Sequence, residues 1–112
     1  PAEVRNVPPA TLARCFEQAP DGTYTVTERA RRRVVFRRHD LLSDAYPSSI
    51  DLLLCRNVVI YFTEAAKRRI YAGFASVLSP RGYLFVGGSE MIMRPQELGL
   101  RAAATSLYRL AA

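Results

Sequence analysis

Residues 50–62 read IDLLLCRNVVIYF, and this stretch decides the fold of the chain. The largely apolar run from Ile50 to Cys55, in which Asp51 is the single charged residue, is typical of a strand in a parallel sheet that is covered on both faces. Arg56 and Asn57 follow it directly, and the chain then turns apolar again around Tyr61. In an open parallel sheet, ligands bind beyond the carboxyl ends of the strands. The polar residues at this point are therefore candidate binding residues.

A helix and a second strand are predicted immediately after this stretch. Thr63 suits the N-cap position, and Glu64 suits the positive end of the helix dipole. Residues Ser79–Gly82 are predicted to end the helix, and Tyr83–Gly87 to form another buried strand. Strand, helix and strand with short connections form a right-handed βαβ unit, so the predicted class is α/β with a mostly parallel sheet. The apolar stripe of the helix repeats at helical spacing and comprises Ala66, Ile70, Phe74, Val77 and Leu78.

The remaining patterns are shorter. A helix is predicted over ATLARCFEQ, after the prolines at Pro8 and Pro9, and it places Phe16 inward. Pro20-Asp21-Gly22 is a turn signal. Short strands are predicted at Tyr24–Thr27 and from Thr105 to Leu110, and another begins at Val34–Phe36 and runs out at His39-Asp40. Polar residues follow two of the predicted strands at His39-Asp40 and at Gly87-Gly88-Ser89-Glu90.

Length and composition limit the class of protein. A chain of 112 residues is one domain or part of one. No apolar run approaches the roughly 20 residues of a membrane span, so no membrane insertion is expected. Cys15 and Cys55 show neither a CxxC spacing nor partner histidines, which disfavours a disulfide framework or a metal site. A reducing, cytoplasmic location is therefore the expectation.

The net charge is +6, and fifteen of the sixteen basic residues are arginine. One interpretation is a solvated face, and the other is a docking surface for an acidic partner. Nucleic acid is not expected as that partner, because no nucleic-acid-binding motif or aromatic-rich RNA signature is present. The densest part of the basic surface comprises Arg29, Arg31, Arg32, Arg33, Arg37 and Arg38.

Three blocks of sequence together resemble the chemotaxis-receptor methyltransferases of the CheR family. They are VVFRRHDLL, IDLLLCRNVVIYF and LSPRGYLFVGGSE, in that order. The resemblance implies a Rossmann-like class I methyltransferase fold that binds S-adenosylmethionine. The family's glycine-rich loop and its ribose-binding acid have no counterpart in this sequence. Residues 1–112 are therefore predicted to be a single partial methyltransferase domain, from the third strand onward, with a small β-hairpin region at residues 21–33.

The resemblance also assigns site residues. Asp40 and Leu41 match positions that line the adenine pocket, and Asp40 stands where the family usually has asparagine. Arg56 and Asn57 match residues that approach the cofactor, and Tyr61 matches a tyrosine beside the transferred methyl group. Two structural alternatives remain open. Tyr61 is a core aromatic in one, and in the other Arg56 is an ion-pair partner of Asp51 or of Asp40.

The implied function is the carboxyl-terminal part of a protein-glutamate O-methyltransferase of bacterial chemotaxis. S-adenosylmethionine is the methyl donor and S-adenosylhomocysteine the product. The expected partners are chemoreceptor cytoplasmic helices or a related signalling protein, and the isolated chain is expected to be inactive. The alternative is a non-catalytic signalling module that binds a receptor or partner through its basic surface.

The missing first strands also predict an exposed sheet edge. In this fold they would lie between the strand at Val34 and the strand at Ile50, so each of these would carry an unpaired edge. Two outcomes are expected. Either the chain forms an edge-paired or swapped homodimer, or the Val34 strand moves to cover the edge beside Ile50.

Overall fold

The computed structural model describes residues 2–88 and 90–111. The chain divides into two compact units, residues 1–38 and residues 39–112. No helix in this described part is long and apolar enough to cross a membrane.

The first unit contains two short helices and a two-stranded hairpin. Helix α1 spans Pro9–Cys15, strands β1 and β2 span Phe16–Gln18 and Tyr24–Val26, and helix α2 spans Glu28–Arg31. A 3-10 turn at Ala2–Val4 precedes them.

The predicted first helix is too long, because it ends at Cys15 and Phe16 begins β1. Phe16 lies opposite Val26 in the antiparallel pair. The turn between the strands is stabilised by Asp21, whose Oδ1 accepts hydrogen bonds from the backbone N–H and the hydroxyl of Thr23 at 3.0 and 2.7 Å. This turn brings β1, residues 16–18, against β2. The backbone groups of β1 therefore pair with those of β2 and do not continue the helix.

The second unit is built on a four-stranded sheet. Strands β3 and β4 span Ile50–Cys55 and Leu78–Val86, and strands β5 and β6 span Leu100–Ala104 and Leu107–Leu110. The strand order is β3-β4-β6-β5. Helix α3, Glu64–Val77, connects β3 to β4. Two 3-10 turns lie at Val59–Tyr61 and Pro95–Leu98.

The sheet is mixed, so the prediction of a mostly parallel sheet is wrong. Strand β3 runs parallel to β4, but β6 runs antiparallel to both β4 and β5. The cause is a two-residue turn at Thr105 and Ser106, with Ser106 at φ 62°, which folds β5 and β6 into a hairpin. The single strand predicted from Thr105 is thus β6 preceded by a turn. Strand β5, LRAAA, was not predicted because it lacks the β-branched and aromatic residues that mark strands.

The predicted βαβ unit is present. Thr63 is the N-cap of α3, and its Oγ1 accepts a hydrogen bond from the Ala66 N–H at 3.2 Å. Residues 79–82, predicted to end the helix, instead lie in β4, which begins at Leu78. The register between β3 and β4 is irregular between Ile50 and Leu52. The backbones of Gly82 and Ile50 lie close together at this irregularity. A Cβ on Gly82 would be 2.6 Å from the Ile50 carbonyl oxygen.

The hydrophobic core lies between α3 and the sheet. Ile70 and Phe74 of the predicted stripe are buried, and so is Tyr71, which the sequence analysis did not place there. The buried apolar residues packed with them are Cys55, Val59, Leu78, Leu84, Val86, Ile92, Leu100 and Tyr108. This core fixes the carboxyl ends of β3 and β4 relative to α3.

Two predictions about strands are wrong. Strand β3 was expected to be covered on both faces, but Leu52 and Leu54 are 59% and 64% exposed. No strand forms at Val34–Phe36, and Phe36 is 92% exposed. In the described residues β3 pairs with β4 alone, so the Val34 segment does not cover the edge beside Ile50 as a strand. Without a partner strand, the backbone of residues 34–36 gains no ladder of hydrogen bonds.

The buried Tyr71 predicts a loss of stability at alkaline pH. Burial, together with the negative charge of Glu90, raises the pKa of Tyr71 from 10 to about 12. A raised pKa in the folded state gives stability that is full below about pH 10 and is lost as the pH rises towards 12. Between pH 9 and pH 12, the unfolding free energy of the parent chain is expected to fall by about 2 kcal/mol more than that of Tyr71→Phe, which has no hydroxyl to ionise. Urea unfolding at both pH values measures this, and equal losses in the two proteins would contradict it.

Candidate cofactor site

The loops that follow β3 and β4 leave the sheet side by side. Cys55, the last residue of β3, lies opposite Val86, the last residue of β4, in the parallel pair. Arg56 and Asn57 follow the first strand, and Gly87 and Gly88 follow the second. Residue Ser89, named in the sequence analysis with this loop, lies outside the described residues. The structure therefore brings polar residues of two strand ends to one edge of the sheet.

Asn57 has a left-handed backbone and lies in contact distance of the second loop. Its φ is 60°, a conformation that asparagine tolerates better than most residues. Its backbone N–H donates a hydrogen bond to Oε1 of Glu90 at 3.2 Å. The side-chain oxygen of Asn57 lies 3.5 Å from the place that a Cβ on Gly87 would take.

Arg56 is exposed, and its guanidinium lies over the ring of Phe85, 5.7 Å from the ring centroid. The alternative of an ion pair with Asp51 or with Asp40 is not supported, because no ion pair of the described residues joins Arg56 to either carboxylate. Asp51 Oδ1 accepts from the Ser79 hydroxyl at 2.8 Å. The ion pairs among residues 2–88 and 90–111 do not include Arg56. The aromatic contact steadies the side chain and leaves its N–H donors available for a ligand.

Tyr61 is 84% exposed, so the interpretation as a core aromatic is wrong. It ends the 3-10 turn Val59–Tyr61, in which Val59 is buried and holds the turn against the core. Phe62 also packs against the core. Within the apolar run VVIYF, Val59 and Phe62 therefore pack against the core, and Ile60 and Tyr61 between them face outward.

The segment with Asp40 and Leu41 forms a compact turn. Asp40 Oδ1 accepts from the Leu42 N–H at 2.9 Å, and Asp44 Oδ2 accepts from the Asp40 N–H at 2.7 Å. The hydrogen bond from Leu42 is the main cause of a lowered pKa of Asp40, so this exposed carboxyl is ionised at neutral pH. The Leu41 carbonyl oxygen accepts a hydrogen bond from the Tyr46 hydroxyl.

Tyr46 docks this turn on helix α3. Its ring lies 5.5 Å from that of Phe74 and 5.2 Å from that of His39, between centroids. Gly73 lets it approach, because a Cβ there would lie 2.4 Å from the Tyr46 ring. No hydrogen bond or ion pair of the described residues joins this turn directly to Arg56 or Asn57. The described hydrogen bonds therefore do not link Asp40 and Leu41 to the loop after β3.

Glu90 makes buried contacts that no sequence pattern indicated. Its carboxylate is buried, with 8% exposure, and Oε2 accepts from the Gly87 N–H at 2.8 Å. The sequence marked it only as one polar residue of the GGSE segment. It also lines a cavity of about 300 Å³ beside Val59, Ile60 and Tyr71. The other lining residues are Glu64, Lys67, Arg68, Met91 and Met93.

The described residues offer no cluster for a metal ion, and the thiol of Cys55 is protected by burial. Residues 2–88 and 90–111 contain no group of three or more metal-ligating side chains. Cys55 is buried, and burial raises the pKa of its thiol, which keeps it protonated and unreactive at neutral pH.

The family model described as CheR methyltransferase, SAM binding domain, matches residues 1–106. This chain belongs to the CheR methyltransferase family. The family resemblance inferred from the three sequence blocks is thereby confirmed, and S-adenosylmethionine is the methyl donor that the family description names.

Relatives of the CheR family agree with this assignment. A chemotaxis protein methyltransferase of Listeria monocytogenes is 45% identical over 86 residues, which are 77% of this chain and 33% of the relative. Chemotaxis protein methyltransferase 1 of Pseudomonas aeruginosa is 41% identical over 90 residues, which are 79% of this chain and 32% of the relative. The chain thus spans about a third of the length of each of these two relatives.

The predicted site residues offer donors and an acceptor of the kind that one side of S-adenosylmethionine needs. Arg56 and Asn57 present exposed donors, and Asp40 presents an ionised carboxylate that accepts from an amino group. A Cβ on Gly88 would meet nothing within 4 Å, so the loop after β4 leaves open space at this edge. The sequence holds no glycine-rich loop between a strand and a helix, which is the usual support for the other side of such a cofactor.

Proposed function

We propose that this chain is the carboxyl-terminal, cofactor-binding part of a protein-glutamate O-methyltransferase that modifies chemoreceptors. One observation carries the proposal. Arg56 and Asn57 lie exposed at the end of β3, on a loop joined by hydrogen bonding to the loop after β4, and Tyr61 is exposed four residues further on. In this proposal residues 1–112 act as a single partial methyltransferase domain.

The chain's residues would act mainly by binding and orientation. S-adenosylmethionine supplies the methyl group when bound. Asp40 accepts from the adenine amino group, and the Leu41 backbone lines the same pocket. Arg56 and Asn57 hold the cofactor from the end of β3. A glutamate carboxylate is already anionic at neutral pH, so positioning contributes most of the catalysis and no strong base is required.

Tyr61 has the catalytic role in this proposal. Its exposed hydroxyl is both a donor and an acceptor, so it can hydrogen-bond the incoming carboxylate beside the transferred methyl group. The cationic character of the chain, with a net charge of +6, favours the approach of anionic glutamates. Chemoreceptor cytoplasmic helices are the proposed substrate, and a cytoplasmic location follows from that partner.

A chimaera tests the proposed function. Residues of this chain replace the matching third of the Listeria monocytogenes relative, which supplies the rest of the domain. We expect the chimaera to transfer labelled methyl groups from S-adenosylmethionine to chemoreceptor membranes. No transfer by a folded chimaera would contradict the proposal.

Substitutions in the chimaera test the two residues. Arg56→Ala is expected to raise the KM for S-adenosylmethionine about tenfold, the effect of losing one charge-assisted hydrogen bond. Tyr61→Phe is expected to lower kcat about tenfold through the loss of its hydroxyl. The matched controls are Arg101→Ala, an exposed arginine on β5, and Tyr83→Phe, whose hydroxyl accepts from Arg109 at 3.4 Å. Full activity of both test variants would show that the assigned residues are structural.

The second candidate function is a non-catalytic module that binds a signalling partner through its basic surface. Arg29, Arg31, Arg32 and Arg33 are exposed, and the ion pairs in the described part of the chain do not include them. Three arginines of this unit, Arg14, Arg29 and Arg33, line a cavity of about 290 Å³. Calorimetric titration of the chimaera with S-adenosylhomocysteine separates the two functions, because only the first requires binding.

A further inference from the structure

Glu90 is a buried carboxylate with no cationic partner among the residues that the structure describes. The ion pairs of this part of the chain involve Glu64 and Glu97, both of which are more exposed than Glu90. A buried charge is unfavourable unless hydrogen bonds replace its lost hydration. A position that served packing alone would be filled at lower cost by an apolar side chain.

The hydrogen bonds of Glu90 join two loops. Oε1 accepts from the Asn57 N–H at 3.2 Å, and Oε2 accepts from the Gly87 N–H at 2.8 Å. Asn57 follows β3 and Gly87 follows β4, so one carboxylate spans both strand ends. The Glu90 N–H donates in turn to the Gly87 carbonyl oxygen at 2.9 Å, which closes a tight turn around the contact.

Gly87 is part of the same arrangement. A Cβ at this position would lie 3.1 Å from Glu90 Oε2 and 3.5 Å from the Asn57 side-chain oxygen. The first of these distances is tighter than normal packing, so Gly87→Ala would displace the carboxylate or the second loop. The space next to Glu90 is therefore adapted to the two hydrogen bonds.

We infer that Glu90 is a positioning residue of the cofactor site. Resting on the proposed function, this inference states that the carboxylate fixes the loop after β3 to the loop after β4, so that Arg56 and Asn57 meet the cofactor in one arrangement. Both oxygens are required, because each accepts from a different loop. Glu90 acts through these loops and is assigned no contact with the reacting atoms.

Glu90→Gln in the 112-residue chain tests the contact itself. Glutamine keeps one side-chain oxygen and replaces the other with an NH₂ group, so it accepts from only one of the two N–H groups. We expect the amide of Asn57 or of Gly87 to exchange hydrogen about tenfold faster in NMR experiments, while the amide of Ile70 in the core is unchanged. The matched control is Glu97→Gln, an exposed carboxylate that accepts from Arg68 at 2.9 Å, and it is expected to leave both amides unchanged.

Titration of the same proteins with S-adenosylhomocysteine tests the positioning role. NMR detects weak binding, and we expect the amide signals of Arg56 and Asn57 to shift at millimolar ligand. Glu90→Gln is expected to need about tenfold more ligand for the same shift, and urea unfolding checks that the variant is folded. Gly87→Ala leaves the charge in place and is expected to weaken binding in the same direction.

The outcomes separate two failures. No binding of S-adenosylhomocysteine by the 112-residue chain or by the chimaera overturns the proposed cofactor site, and the positioning role with it; where only the chimaera binds, the same variants are compared in the chimaera. A parental shift that persists fully in Glu90→Gln overturns only the role of Glu90, as does unchanged exchange at both amides. Loss of the folded state in both Glu90→Gln and Gly87→Ala would show a role in global stability and would also overturn the inference.

Discussion

The 112-residue chain alone is expected to bind S-adenosylmethionine at least about a hundredfold more weakly than the chimaera with the Listeria monocytogenes relative. In the proposed function Asp40, Arg56 and Asn57 meet one side of the cofactor, and the sequence has neither a glycine-rich loop between a strand and a helix nor the ribose-binding acid of such folds. Two or three missing hydrogen bonds, at roughly 1 to 1.5 kcal/mol each, correspond to a factor of about a hundred.

Calorimetry on the chimaera and NMR titration of the 112-residue chain measure this difference. Arg101→Ala in both proteins serves as the control, since this exposed arginine on β5 is not part of the proposed site. A micromolar dissociation constant for the chain alone would contradict the prediction. It would mean that Asp40, Arg56 and Asn57 suffice for binding.

The sequence predicted the helix after β3 because its signals are local. Thr63 indicates where the helix begins, and the spacing of Ile70 and Phe74 indicates its apolar face. Neither signal depends on the rest of the fold. The position of Arg56 and Asn57 at a strand end was predictable for the same reason. Both lie directly after the apolar run of β3.

The features that depend on a partner element were missed. The apolar run of β3 indicates a covered strand, but coverage depends on neighbours, and Leu52 and Leu54 are exposed. Val34–Phe36 has strand composition but pairs with no strand in the described part of the chain. The bond between Glu90 and Asn57 joins residues 33 positions apart, and no local pattern indicates such a pair.

The candidate site and the sheet depended on different information. The family resemblance supplied residue assignments without requiring the strand order, and the exposure of Tyr61 and Arg56 then removed their structural alternatives. The sheet required knowledge of strand direction. The turn at Thr105 and Ser106 reverses the chain between β5 and β6, and it is this reversal that makes the sheet mixed.

The chain is expected to form a homodimer through the free edge of β3. Strand β3 pairs with β4 on one side, and no other strand of residues 2–88 and 90–111 pairs with it. An edge of this kind presents unpaired N–H and C=O groups to any second strand. Leu52 and Leu54, two residues apart, face the same side of the sheet and remain mostly exposed. Two copies that pair along β3 would satisfy the backbone groups and cover these side chains together.

A lysine on this edge should separate the copies. Leu54→Lys places a charge where two copies meet, and charges on edge strands are a common means of preventing such pairing. We expect light scattering to give twice the monomer mass for the parent chain and a dissociation constant at least about tenfold higher for Leu54→Lys. Met93→Lys is the matched control, because Met93 is 60% exposed but lies outside β3. A parent chain that is monomeric at NMR concentrations would contradict the prediction, because the backbone edge of β3 and its two exposed leucines would then remain in contact with water. In that case the exposed face of β3 contributes nothing to assembly.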